Sequence, residues 1–522
     1  MVDRAGMTAL NIRPIVFWLP IGVFIALVSA SFANPDAFLT SVTVINDWIL
    51  AIFGSAFALA AFAFVLTCIW AFFSPLGKVR LGGADATPIL SRWNWFAITL
   101  STTIAIGILF WATAEPVYHL YDPGGGAAQP GSAEAEIFSL VSLFMHWAFT
   151  PYAIYTVPAL TFALCYHNLK LPFSLSSPIA ALIGRPLPNV AAQLLDAICL
   201  LSLLFGLAAS LGAGIMSISG GIDRITPLST GPIMLALVAL AIVAAFFLSS
   251  VSGLQRGIRI LSDYNTKIFF VIALFVLLAG PTMDILLLGG KAFGAYITQF
   301  VPRSLMLGKY GDTQWLNSWT VFYFANWMAW APLSAMFLGR IARGYTVREF
   351  IAMNLIAPAM FSIVWMVIFG GFAIQAESAS PGLLKSVLDN AGPEFVLYAL
   401  VDQMPLSIAV AALFVALSFL SYVTAADSNT DVLARISQKR EGEGEGGQET
   451  ADNRSGGHHI WIRLIWASLV GIAAWVMVSF SGIDGVRMLS NLGGLPALFV
   501  ISAFCAVLIV LGTTKRKSLM EI

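Results

Sequence analysis

Residues Trp319–Phe350 read W-T-V-F-Y-F-A-N-W-M-A-W-A-P-L-S-A-M-F-L-G-R-I-A-R-G-Y-T-V-R-E-F. The first half is apolar, rich in aromatics and long enough to cross a bilayer. The second half carries Arg340, Arg343 and Arg348, a basic landing. At about 100° per residue, Trp319, Tyr323, Trp327 and Trp330 fall within an arc of roughly 80°, with Asn326 about 20° outside it. Aromatic faces carry negative potential, so such a wall suits a cation without easily removed protons, such as a quaternary ammonium. Pro332 has no N–H and opposes the carbonyl of Met328, which predicts a kink and a free backbone acceptor. A packing or lipid-facing stripe has the same spacing, so further evidence must come from the rest of the chain.

Of the 522 residues, 59% are hydrophobic and only 10% charged. Soluble domains carry about 25% charged residues, so the chain reads as an all-α polytopic membrane protein. Twelve transmembrane helices are expected, at 14–33, 45–74, 94–115, 136–166, 191–218, 232–251, 266–288, 316–339, 350–374, 405–428, 460–481 and 485–512. Of the 27 Lys and Arg residues, all but Arg224, Lys291, Arg303, Lys309, Lys385 and Arg487 fall on the side of the N-terminus. The positive-inside rule then predicts both termini in the cytoplasm, in the cell inner (plasma) membrane. No cleavable signal peptide is expected. The four cysteines lack metal spacing and read as packing residues. No G-x-x-x-x-G-K-[ST] or H-E-x-x-H run occurs, and nothing points to nucleic acid.

Span 3 contains Ser101-Thr102-Thr103 followed by Ala105 and Gly107, residues that permit close helix approach or local unwinding. Glu115-Pro116 at its end reads as interfacial, not as a proton carrier. Span 4 holds a second aromatic cluster, His146-Trp147 through Tyr152 and Tyr155, with Pro151 opposing the Trp147 carbonyl. Two distant spans therefore each combine clustered aromatics with a proline, as facing walls of one cavity would. His146 reads as a lone membrane histidine, either a packing residue or a proton relay. In span 10, Ser421, Thr424 and Ser428 share a helical face, and such oxygens suit Na⁺; bonding back to helix carbonyls would use the same residues. Asp427 and Asp431 read as the cytoplasmic mouth, and 441–459 as a flexible polar loop.

These residues resemble the betaine/carnitine/choline transporter family over nearly the whole chain. The most specific match is span 8 with its following loop. Supporting matches are F-W-A-T-A-E-P in span 3, H-W-…-A-I-Y in span 4, F-G-L-A-A-S-L-G in span 5, S-G-L-Q-R-G-I-R-I-L-S after span 6, and V-T-A-A-D-S in span 10. The resemblance implies two inverted five-helix repeats: residues 94–288 (spans 3–7) and 316–512 (spans 8–12). It leaves 1–93 with two peripheral spans, an extracellular interfacial segment at 289–315, and a short tail at 513–522. It implies a homotrimer in a lipid bilayer that imports a small-molecule osmolyte such as glycine betaine, choline, carnitine or dimethylsulfoniopropionate by alternating access. Trp147, Tyr152, Tyr155, Tyr323, Asn326, Trp327 and Trp330 are the expected substrate-binding residues. Ser101, Thr103, Ser421, Thr424 and Ser428 are the expected ion-coupling residues, with Na⁺ or H⁺ as coupling ion and no other cofactor. Phe324 and Asn326 stand where the family pattern has tryptophans, and Ala105, Leu207, Ala209 and Ala425 depart from it around the expected ion ligands. Sodium coupling, proton coupling and exchange all stay open. A channel is disfavoured by the lack of a filter-like carbonyl or acidic ring, and an enzyme or sensor by the lack of a catalytic or signalling unit.

Overall fold

A computed structural model describes residues 12–103, 107–252, 254–439 and 458–514. Every element of length is helical. The chain starts with α1 (Pro14–Ala33) and α2 (Pro35–Phe73), each opened by a proline whose missing N–H has no role in a first turn. Asn34 caps α2 by accepting from the Ala37 amide at 3.1 Å. Next come α3 (Arg92–Thr103) and α4 (Gly107–Tyr121), bent by 57° relative to each other. Then follow α5 (Ala133–Trp147), α6 (Phe149–Ala163), α7 (Ser176–Ile183) and α8 (Asn189–Ile225). Further on lie α9 (Pro232–Ser252), α10 (Leu254–Ala279) and α11 (Thr282–Ser304).

A short α12 (Thr313–Leu316) leads through a wide π turn, Asn317–Val321, into α13 (Phe322–Ile341). α13 runs as one helix with Pro332 inside it. The irregular backbone lies a few turns earlier, in the π turn. Beyond α13, Thr346 and Glu349 cap each other's amides at the start of α14 (Val347–Ile351). The chain continues as α15 (Ala357–Ala379), α16 (Lys385–Asn390), α17 (Pro393–Val401), α18 (Ser407–Ser437) and α19 (His458–Thr513). Inside α19, Gly482 takes φ 54°, which divides the run into the two spans expected there.

Among the described residues, eleven helices are long and apolar enough to cross a membrane, or twelve if α3 and α4 form one broken span. The protein is therefore an all-α, polytopic membrane protein. The predicted number is reached with a different membership. α9 (Pro232–Ser252) covers the segment expected as a span at 232–251. The span expected at 266–288 is interrupted: Gly280-Pro281 ends α10, because Pro281 has no N–H to continue its ladder. α11 starts at once and takes up much of the segment expected to lie at the interface.

The burial pattern separates a core from a shell. In the most apolar stretch of Thr313–Ile341, 94% of residues are buried, and in that of Ala133–Asn168, 89%. The corresponding shares are 33% for α1 and 28% for α11. Trp18, Ile52, Leu237, Leu274 and Leu278 are large, apolar and exposed, as expected of side chains that meet acyl chains. The two aromatic-rich segments are thus central, and they pack on each other and on α8 and α19.

The N-terminal side is tied by charge. Asp431, expected at an open mouth, is buried and ion-paired with Arg340, Arg435 and Arg463. Asp427 is also buried, 3.8 Å from Arg463. Apolar helices pack around these carboxylates, and guanidinium groups from three helices replace the water they lose. Arg13 pairs with buried Asp196 at 2.7 Å. The loop after α13 pairs with the loop after α2: Val347 donates to Val79 and Leu81 to Tyr345, each at 2.9 Å. Within the basic landing, Arg348 donates to the Phe72 carbonyl at 3.0 Å.

Candidate functional site

The helix expected as one span at 136–166 breaks at Ala148, whose φ −106°, ψ −118° are not helical. This is three residues before Pro151, where the ring would crowd the preceding turn. The break separates Trp147, which ends α5, from Tyr152 and Tyr155 on α6. It also frees a carbonyl: Trp327 Nε1 donates to His146 O at 2.9 Å. Sequence reasoning expected the free acceptor at Trp147, one residue later.

Trp147 and Trp327 meet edge to face, centroids 5.1 Å apart at 83°. Tyr323 approaches Trp147 at 5.2 Å and 66°. These rings, with Trp330, Asn326, Phe322 and Trp111, wall a hollow. Thr102, Thr103, Gly107, Ala209, Ser210, Ala213 and Ala425 complete the lining. Glycines admit the indoles. A Cβ on Gly107 would lie 2.6 Å from Trp147 Cη2, and one on Gly206 would lie 2.7 Å from Trp330 Cδ1. Asn326 Oδ1 accepts from Ser490 Oγ at 2.9 Å, which orients the amide at the edge of the hollow.

The other members of the predicted set stand around this hollow. Tyr155 packs against Trp327 from behind, centroids 6.1 Å apart. Tyr152 shares a 3.1 Å hydrogen bond with Ser362. The α5–α6 break carries both tyrosines off the face Trp147 presents. Trp319 belongs to the same stripe but sits above the hollow, against Trp111, Tyr118 and His119. Arg487 lies over its ring at 4.5 Å, a resident cation on the outermost aromatic.

The ion-coupling candidates are mostly engaged with protein. Thr103 and Thr424 bond back to the Thr99 and Leu420 carbonyls, each at 2.8 Å. Ser421 exchanges hydrogen bonds with Asn265 at 3.0 and 3.1 Å. Ser101 Oγ is buried with no partner among the described residues. The side chain of Ser428 lies outside the described residues. Of the five, Thr103 lines the hollow, opposite Ala425 of α18.

Glu115 corrects the sequence reading most. It is wholly buried rather than interfacial. Its Oε1 lies 2.6 Å from His146 Nδ1 and 3.1 Å from His119 Nε2. Its Oε2 accepts from Trp147 Nε1 at 2.8 Å and from Tyr323 OH at 2.6 Å. With each imidazole protonated on the nitrogen facing it, the carboxylate takes four hydrogen bonds, enough to hold an anion in an apolar setting. His146 is therefore not a lone histidine, and its Nε2 lies 3.1 Å from Thr320 Oγ1. The sequence did hold a signal. Glu115 and His119 are i, i+4 neighbours on one helix, and His146 directly precedes the aromatic-box residue Trp147.

The family model described as "BCCT, betaine/carnitine/choline family transporter" matches residues 15–517. "Glycine betaine transporter 1" of Vibrio parahaemolyticus serotype O3:K6 is 31% identical over 527 residues, covering 99% of this chain and 96% of the relative. "Probable glycine betaine transporter" of Desulfitobacterium hafniense (strain Y51) is 29% identical, covering 87% and 88%. "High-affinity choline transport protein" of Escherichia coli (strain K12) is 28% identical, covering 94% and 71%.

Proposed function

This chain belongs to the betaine/carnitine/choline transporter family, and from that premise we propose that it imports a quaternary-ammonium or related compatible solute whose onium head sits among Trp147, Tyr323, Trp327 and Trp330. As a member of that family it is a secondary active transporter and not an enzyme. One observation carries the substrate reading. Indoles from two distant segments, Trp147 and Trp327, meet at right angles beside one hollow. Each desolvated cation–π contact contributes ~2 kcal/mol or more, so two or three rings supply useful recognition without a buried countercharge in contact. The relatives' names, which print glycine betaine and choline, favour that solute class.

The architecture that goes with this reading is two inverted five-helix repeats, with the hollow at their junction. The irregular turns at Ala148 and Asn317–Val321 are the places where backbone is free to change hydrogen-bond partners. Both termini are read as cytoplasmic and the assembly as a homotrimer; the mass of the detergent-free particle tests the latter. Radiolabelled choline and glycine betaine uptake into proteoliposomes tests the function. Saturable uptake of at least one is expected, and no saturable uptake of any methylammonium solute contradicts the reading.

A further inference from the structure

Glu115 stands between two spaces. On one side, Trp147 and Tyr323, both donors to its Oε2, wall the hollow. On the other side, His146, bonded to its Oε1, lines a separate narrow vestibule together with Thr320, Arg303, Tyr310 and Trp315. This vestibule lies beside the end of α11 and the loop after it, the side that the basic residues assign to the exterior. His119 completes the cluster, and its Nδ1 is buried with no hydrogen-bond partner among the described residues. With Nε2–H given to Glu115, that Nδ1 is a vacant proton acceptor.

We propose that Glu115, His119 and His146 form a proton-binding site whose occupancy opposes that of the onium cage. The proposal rests on the cage reading above and names the ion that acts against it. With both imidazoles neutral the cluster carries one negative charge; one added proton, on His119 Nδ1 or shared between His146 and Glu115, makes it neutral. A buried unit charge without a cation is costly, so the cluster favours uptake of either a proton or a neighbouring cation. The ionised carboxylate also pulls on the Trp147 N–H and Tyr323 O–H dipoles. This leaves more negative potential on the ring faces that meet the onium group. Protonation withdraws that charge. A proton reaching the cluster through the vestibule and a cation in the hollow therefore compete for one carboxylate, though neither touches the other.

The groups facing this part of α4 from other helices do not supply the effect. Arg303 of α11, Arg487 of α19 and the Tyr323 phenol also face this region, and the Glu115 variant below separates them from the carboxylate. At the end of α4, Tyr121 donates to Glu377 of α15, whose oxygens also accept from the Gly382 and Leu384 amides. Lys385 of α16 lies 5.5 Å over the Tyr121 ring. Glu394 on α17, Asp389 on α16 and Asp484 on α19 are further carboxyls on this side, and the Glu115 variant below separates them.

The test is choline binding to the purified full-length protein by titration calorimetry at pH 5.5, 7 and 8.5, with salt held constant. Choline has no group that titrates in this range. Affinity should fall roughly 10- to 100-fold from pH 8.5 to 5.5, the size expected for unit charges about 7 Å apart at an effective dielectric of about 20. Binding near the midpoint should release protons into weak buffer. Glu115→Gln should bind choline with one affinity at every pH, and His119→Gln should reduce the pH dependence. If either variant fails to fold, proton release by the wild type still decides the matter. Saturable binding without pH dependence, or affinity that rises on acidification, overturns the proton site and leaves the cage intact. No choline binding at any pH overturns the cage itself.

Discussion

Trp327 Nε1 donates to the backbone carbonyl of His146 while its ring meets the edge of Trp147, centroids 5.1 Å apart. One indole is thus fixed at both ends. Its N–H is held by a carbonyl that a regular helix would have used internally, and its face is turned to the hollow. The break at Ala148 is what makes the acceptor available.

Truncating either indole should remove a wall of the hollow together with the hydrogen bond its N–H makes, to Glu115 for Trp147 and to the His146 carbonyl for Trp327. For Trp327→Ala or Trp147→Ala, affinity for choline is expected to fall by roughly 30-fold, the equivalent of ~2 kcal/mol. Trp147→Phe should retain more than Trp147→Ala, since a face remains. Titration calorimetry on variants that elute like the wild type checks this.

Gly206 is where Trp330 passes closest to a neighbouring backbone. In Gly206→Ala, the new methyl must push the indole toward the hollow. We expect at least roughly tenfold weaker binding with normal insertion, since overpacking typically costs ~1–3 kcal/mol. Trp330→Phe in the same background should restore part of the loss.

Asn326 stands where the family pattern has a tryptophan, and its oxygen is already taken by Ser490. The amide hydrogens remain for a polar group on the solute. Asn326→Leu should weaken a solute with a carboxylate more than one without any polar tail. Competition of glycine betaine and tetramethylammonium against labelled choline should show their relative affinities changing by roughly 10- to 100-fold, the value of one hydrogen bond to a charged group.

Asp431 ties α13, α18 and α19 through Arg340, Arg435 and Arg463. Asp431→Ala leaves three guanidinium groups facing an uncompensated space, and breaking such a buried pair costs ~3–5 kcal/mol. A clear drop in the unfolding midpoint is expected, larger than for Arg224→Ala, whose half-exposed pair with Asp402 contributes ~0–1 kcal/mol. Thermal unfolding in detergent measures both.

The expected sodium set makes a weaker shell than its spacing promised, because Thr103, Ser421 and Thr424 spend hydroxyls on protein partners. Replacing all Na⁺ by K⁺ should change choline affinity less than about twofold. A calorimetric titration in the two salts measures it.

Helical character and the aromatic walls were legible because hydropathy and a 3.6-residue period are local properties of sequence. That is why Tyr323, Trp327 and Trp330 could be placed on one helical face by spacing, whereas Trp147 came from its cluster with His146 and from the family resemblance. Tyr152 and Tyr155 entered the expected site through the family resemblance, since a straight helix would put Tyr152 about 140° from Trp147; the backbone turns at Ala148, between Trp147 and the two tyrosines. Glu115 was misread because depth in the bilayer was judged from position along one span. Its donors come from α4, α5 and α13, and no pattern within a single segment reports such a meeting. The division between α10 and α11 turned on where Gly280-Pro281 ended a run, a boundary that hydropathy blurs.

The central claim is that ring faces around one hollow hold a positive head group. It is tested most directly by comparing choline with its neutral analogue, in which carbon replaces the nitrogen, for binding to the wild-type protein. The two molecules have the same shape, so apolar burial cancels. Choline should bind at least roughly 30-fold more tightly, and Trp327→Ala should narrow that ratio. Equal affinity for both would contradict the account.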